Sequence, residues 1–255
     1  MKRRIAREWR YVALTLSLLT SVNLWASQDP LASPMWDYLR NIFIGDAAYQ
    51  FDEQIRVTVP PFAEDPTQVP LTVDASVYDG DISKMVVWSD LNPIQHIYTY
   101  YPIQGIRSVL SLRIKVQQGT PIRAAVLLRN GEWRVGSVYL DAAGGGCTTP
   151  SLGTAAPYWE KHLGEINAKR FNRDNVDRLK FKVIHPMDTG LVDAIPEFYL
   201  QQLELRNSDG AVLAKMELSQ PVSENPVFTF DIIDQSANHS LWLRDNSGNE
   251  FEQQL

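Results

Sequence analysis

The sequence is short of the features that usually announce a function. Its 255 residues contain one cysteine, Cys147, so no disulfide can form within the chain and its stability must come from burial. The four histidines, His96, His162, His185 and His239, include no pair at the i, i+2 to i+4 spacing of a metal site, and no metal is expected. No phosphate-binding glycine loop, nucleophile elbow or zinc-protease helix occurs, which removes the commonest enzyme classes and leaves no organic cofactor to expect. Positive charge is also scarce, with 24 Lys and Arg against 30 Asp and Glu for a net charge of −6. That sign opposes association with a phosphate backbone, so nucleic acid is not an expected partner. No run of 10 to 15 residues with strong helical periodicity separates the apolar segments, which argues against βαβ units.

The basic groups that do occur are concentrated at the start. Lys2, Arg3, Arg4, Arg7 and Arg10 precede an uncharged stretch from Tyr11 to Trp25, followed by Ala26. This is the anatomy of a secretory signal, residues 1–26. A 15-residue helix rises about 22 Å against a hydrocarbon core of about 30 Å, so no permanent membrane anchor is expected. Loss of residues 1–26 leaves 19 basic and 29 acidic groups, a charge of −10. Export from the cytosol is expected.

Beyond the signal, Ser33-Pro34 ahead of Met35 to Phe43, with Gly45 as a stop, predicts one short helix. The periodicity then becomes two. Alternation predicts strands around 55–59, 71–77, 82–88, 97–101, 110–116, 122–128 and 133–140, with Asn130-Gly131 turning between the last two. In the strand at 110–116, Leu110, Leu112, Ile114 and Val116 face one way and Ser111, Arg113 and Lys115 the other. This density of strands is that of a β-sandwich. After a small, polar, Pro/Gly-punctuated boundary, alternation resumes at Leu179, Phe181 and Val183, and continues at Leu203/Leu205, Ala214/Met216/Leu218, Phe228/Phe230 and Leu241/Leu243. The reading is an all-β protein of two tandem sandwiches. Its segments are 33–147, a linker at 148–170, and 171–255.

Cys147 lies in Gly144-Gly145-Gly146-Cys147-Thr148-Thr149-Pro150. Three glycines supply no side chain to enclose the sulfur and allow almost any backbone angle, which predicts an exposed, mobile thiol on a glycine arm. The alternative is an interdomain linker that happens to contain a cysteine. The segment His185-Pro186-Met187-Asp188-Thr189-Gly190 reads as a turn closing a strand, with Gly190 permitting positive φ, or else as a place where a partner docks.

Several of these segments resemble one family. Trp36 to Arg40 with Phe43 to Asp46, Ala63-Glu64-Asp65 followed by Val69 to Val73, and the glycine-preceded Cys147 resemble SoxY, the cysteine-bearing subunit of the SoxYZ sulfur carriers. His185 to Gly190, Ile195-Pro196 and Glu224 to Phe230 resemble SoxZ. The order and span are most similar to fused SoxYZ-like carriers linked with quinoprotein dehydrogenases. The resemblance implies two immunoglobulin-like sandwiches and a non-enzymatic protein that carries a sulfur-containing group covalently on Cys147. It also implies periplasmic redox partners: Sox-type enzymes, a quinoprotein dehydrogenase or a c-type cytochrome. In SoxY the cysteine lies in a Gly-Gly-Cys-Gly-Gly terminus, whereas here Thr148-Thr149-Pro150 follows and the chain continues. The competing readings are an adaptor in which Cys147 is incidental, and a thiol enzyme.

Overall fold

The computed structural model describes residues 28–151, 158–173, 176–234 and 238–255. The expected signal, 1–26, lies outside the described residues, as do residues 152–157 of the expected linker.

One helix, α1 (Trp36–Phe43), opens the described chain. Its first turn begins two residues beyond Pro34, and Gly45 ends it at φ +73°, donating its N–H to the Arg40 carbonyl at 3.0 Å. Strands follow: β1 (Tyr49–Phe51), β2 (Arg56–Thr58), β3 (Phe62–Ala63), β4 (Val69–Asp74), β5 (Ile82–Ser89), β6 (His96–Pro102), β7 (Ile106–Ile114), β8 (Thr120–Leu128) and β9 (Trp133–Ala142). A 3-10 turn, Gly146–Thr148, holds the cysteine. The second half comprises α2 (Tyr158–His162), β10 (Ile166–Arg173), β11 (Val176–Val183), β12 (Leu200–Asn207), β13 (Val212–Leu218), β14 (Val227–Ile232), β15 (His239–Asp245) and β16 (Glu250–Gln254). Both α2 and the start of β10 fall within the segment expected to be a linker.

The two sandwiches are not independent beads. One sheet runs β1-β9-β8-β5-β6-β13-β12-β15-β16, with β3 also on β9; the other runs β10-β11-β14-β7-β4-β2. In the first sheet the halves meet where β13 pairs antiparallel with β6, from Leu218 opposite Tyr98 to Ala214 opposite Pro102. In the second they meet where β14 pairs with β7, Phe230 opposite Leu110. Joining edge to edge removes four exposed sheet edges that would otherwise invite association. A single apolar core runs through both halves, from Leu71 and Val87 to Leu203 and Leu243.

The aromatic strand residues are core. Tyr98 and Tyr100 are fully buried, and Tyr100 packs 6.0 Å from Phe230, which stacks on Phe181. Each such ring removes on the order of 200 Å² from water, about 5 kcal/mol of gross burial. His96 stitches the same junction: Nδ1 lies 2.5 Å from Ser219 Oγ in the second half, and Nε2 lies 2.9 Å from Thr99 Oγ1 in the first. A smaller cluster, including Trp36, Leu39, Trp88 and Trp133, seats α1 on the outer face of the first sheet. Beneath it the buried Arg123 guanidinium pairs with Asp29 at 2.6 Å and Asp90 at 3.1 Å and lies under the Trp36 ring. This network ties the segment just after the expected cleavage point to the sheet. No helix among the described residues is long and apolar enough to cross a membrane.

Candidate functional site

The expected exposed and mobile Cys147 is corrected by the structure. The residue is 1% exposed, and Gly146 beside it is also buried. The cause is backbone rather than side-chain packing. Glycine has no Cβ to hold its chain away from a neighbour, so it allows close approach as readily as motion. Here the close approach prevails. The Gly145 N–H donates to the Gln117 carbonyl and the Gly146 N–H to the Val116 carbonyl, each at 3.0 Å. A Cβ on Gly146 would lie 2.0 Å from the Pro66 oxygen and 2.6 Å from the Val116 oxygen. Gly144 and Gly145 take φ of +106° and +92°, which turns the chain back toward the segment after β7. Gly144, Gly145 and Gly146 thus form a folded-back tether in this conformation. Beyond the cysteine, Thr149 Oγ1 donates to the Gly145 carbonyl at 2.8 Å and closes the turn.

The second half meets the cysteine's main chain from the other side. Thr189 Oγ1 donates to the Cys147 carbonyl at 2.8 Å. Lys115, 3% exposed, follows β7 and donates from Nζ to the Met187 carbonyl across the junction. The Lys115 main chain is fixed as well: its N–H donates to the Pro221 carbonyl at 2.6 Å and its carbonyl accepts from Asn92 Nδ2 at 2.9 Å. Ser223 Oγ, donating to the Thr67 carbonyl at 2.7 Å, adds another bond between the halves. Cys147 therefore occupies a seam with both halves as walls.

His185 and Met187 are both fully buried, and Pro186 between them is buried too. In this conformation their side chains are part of the seam wall and offer no docking surface. Gly190 has a positive φ of +75°, and Asp188 exchanges both main-chain hydrogen bonds with Phe198, at 2.7 and 3.1 Å. Met187 adopts a positive φ of 53°, unusual for a side chain of that size. Its N–H donates to His185 Nδ1 at 3.1 Å, which requires the proton on Nε2, and its carbonyl accepts from Lys115. His185 Nε2 stands 3.7 Å from Asp245 Oδ2.

Burial governs the electrostatics. It pushes the Cys147 thiol up to about 11, against a smaller opposing pull from the Lys115 cation. Burial lowers the Lys115 ammonium, opposed by Asp188, Cys147 and Glu224. The same effect lowers His185, with Asp245 opposing it, and keeps the ring neutral. A seated thiol of this kind is a poor nucleophile, because only the thiolate attacks. Among the described residues, no three His, Cys, Asp or Glu side chains gather in a way that would hold a metal ion.

Thr189 and Lys115 are the seam residues that sequence reasoning missed. Alternation assigns Lys115 to the outward face, as it does Arg113, and Arg113 is indeed exposed. Lys115 differs because the second half covers that point, a long-range contact with no local signal.

Comparison with known proteins gives two domain matches in the same order. Residues 39–147 match the SoxY family, described as sulfur oxidation protein SoxY, and residues 166–255 match the SoxZ family, sulphur oxidation protein SoxZ. The first match ends on Cys147. Among curated proteins none matches the chain. Among solved structures, the sulfur carrier protein SoxY from Chlorobium limicola f thiosulfatophilum aligns at 16% identity and a TM-score of 0.38, over 43% of this chain and 96% of its own. Both domain families are carrier or accessory proteins rather than catalysts. The chain is a fused SoxYZ-like protein of the sulfur-oxidation carrier families, with a SoxY domain and a SoxZ domain in tandem.

Proposed function

We propose that this protein carries a sulfur-containing group as an S–S linkage on Cys147 and presents it to redox enzymes outside the cytosol, withdrawing the thiol into the seam between deliveries. The observation that carries this reading is the way Cys147 is held. Its segment is retained through main-chain groups of Gly145, Gly146 and Cys147, with no tether side chain interlocked in the core. Releasing it breaks these main-chain bonds and an exposed Thr148–Gln117 side-chain contact, each worth about 1 kcal/mol or less, and exposes one small side chain. Freed backbone entropy of about 1–2 kcal/mol per residue offsets part of that cost. A net opening cost of a few kcal/mol leaves a minor open population that a partner can capture.

In the open state the thiol regains an ordinary pKa, and its thiolate can attack one sulfur of an S–S bond in an oxidised sulfur species, forming the Cys147–sulfur bond as that S–S bond breaks and the other sulfur leaves as an anion. The tether is anchored at both ends, so its excursion is shorter than the roughly 20 Å of a free six-residue chain. Export is supported by the basic start and the uncharged run of residues 11–25. Sox-type enzymes, a quinoprotein dehydrogenase or a c-type cytochrome are the partners this reading proposes.

The test is intact mass spectrometry of the protein taken from its native compartment, with and without reductant. A reductant-removable adduct, absent in Cys147→Ala, is expected. A second reading, an adaptor with an incidental cysteine, is favoured by the 1% exposure of Cys147. It predicts an unmodified thiol and full function in Cys147→Ala.

A further inference from the structure

The loop that meets Cys147 is hydrogen-bonded at several successive residues. Met187 is held in its positive-φ conformation from both sides, its N–H on His185 Nδ1 and its carbonyl on Lys115 Nζ. Asp188 is locked to Phe198 by a reciprocal main-chain pair. These anchors fix where Thr189 stands. Its hydroxyl donates to the Cys147 carbonyl at 2.8 Å and accepts from the Leu191 N–H at 3.2 Å, so its orientation is determined at both ends. Thr189 itself is 6% exposed. The tether side of the seam offers the two glycine N–H bonds to Val116 and Gln117 and an exposed contact of Thr148 Oγ1 with the Gln117 side-chain amide at 3.3 Å.

We propose that Thr189 is a positioning residue for the carrier reaction: a clasp, braced by Lys115 through Met187, by which the SoxZ-like half controls when the thiol of the SoxY-like half is released. The inference rests on the carrier reading and deepens it. Exposure of Cys147 is then set by a contact between the halves, and the freedom of the three glycines acts only after that contact breaks. A partner that displaces the 185–191 loop frees the thiol, while one that touches only the tether does not.

The experiment measures alkylation of Cys147 by iodoacetamide in the folded, full-length protein at fixed pH. This readout needs no cargo, so its failure is distinct from failure of the carrier reading. Thr189→Val keeps the shape and removes the donor, leaving the buried Cys147 carbonyl unpaired in the seated state. Its alkylation should be roughly five- to a hundredfold faster than that of the natural chain. Thr189→Ser, which keeps the hydroxyl, should return the rate to within about twofold. Tyr78→Phe, which removes a distant hydrogen bond to Asp52, controls for general loosening and should not accelerate alkylation. If Thr189→Val does not fold, Thr189→Ala is measured with the same expectation. Unchanged alkylation in the donor-deleted variant, equal acceleration in Tyr78→Phe, or failure of Thr189→Ser to restore protection each overturns the clasp.

Discussion

Adding one methyl group at Gly146 should release the thiol without altering the thiol itself. The glycine has no positive φ, so alanine meets no backbone objection there. The objection is steric. The new Cβ would lie 2.0 Å from the Pro66 oxygen and 2.6 Å from the Val116 oxygen, where real Cβ atoms do not come within 3.0 Å. Retreat by about 1 Å or more is needed, and both obstacles are main-chain carbonyls already in use. Val116 O accepts from Gly146 N–H, and Pro66 O accepts from Val116 N–H at 2.8 Å. Overpacking of this kind costs about 1–3 kcal/mol. The open fraction therefore rises about five- to a hundredfold, and alkylation of Cys147 rises with it. Gly145→Ala provides the contrast: its φ of +92° carries strain, but its Cβ meets nothing within 4 Å. A left-handed alanine costs on the order of 1 kcal/mol, which gives about fivefold. The assay is iodoacetamide kinetics read by intact mass, with thermal midpoints to establish that both variants are folded. A folded Gly146→Ala alkylated at the natural rate would refute the claim that close glycine packing seats the cysteine.

Three further expectations follow from other parts of the molecule. Alkylation of Cys147 should be far slower than that of a free thiol at about pH 8.5 and should keep rising with pH toward the seated value of about 11, because ionisation has to draw the closed thiol out of its seat; a profile that levels off near about 8.5 would mean that the thiol is not held in the seam. Burial lowers His96 to about 4. A folded pKa below the unfolded value of about 6.5 contributes stability above pH 6.5 that is lost as pH falls toward 4, about 3 kcal/mol in all. His96→Gln should flatten that acid limb in urea titrations between pH 7 and 4, and an unchanged slope would remove His96 as its cause. Arg123→Met leaves Asp90 buried beside a lost cation and frees Asp29, so unfolding free energy should fall by about 3–5 kcal/mol and residues near 29 should become protease-sensitive. A loss below about 1 kcal/mol would contradict the assigned pairing.

The strands were legible because a half-buried strand writes its inward face at every second residue. Leu110, Leu112 and Ile114, and later Phe228 and Phe230, are buried as alternation predicts. Gly45 and Gly131 were legible as a helix stop and a hairpin turn because each needs a positive φ that few residues adopt. The edge-to-edge fusion of β6 with β13 and β7 with β14 was not legible, since edge pairing uses main-chain groups common to all residues. The same limit hid the seam. A glycine run signals only the absence of side chains, and both a swinging arm and a tightly docked turn exploit that absence. Which one forms depends on Pro66, Val116 and Thr189, distant in sequence from the run or beyond it.

The central claim is that Cys147 accepts a sulfur group despite its seat, and tetrathionate tests it directly. Attack of the thiolate on an inner sulfur forms the Cys147–sulfur bond, breaks the central S–S bond and releases thiosulfate, leaving an S-thiosulfonate on the protein. Intact mass of the folded chain after exposure should show one such adduct, removable by reductant, absent in Cys147→Ala and formed faster in Gly146→Ala. A folded protein that stays unmodified while its urea-unfolded form reacts fully would contradict the account.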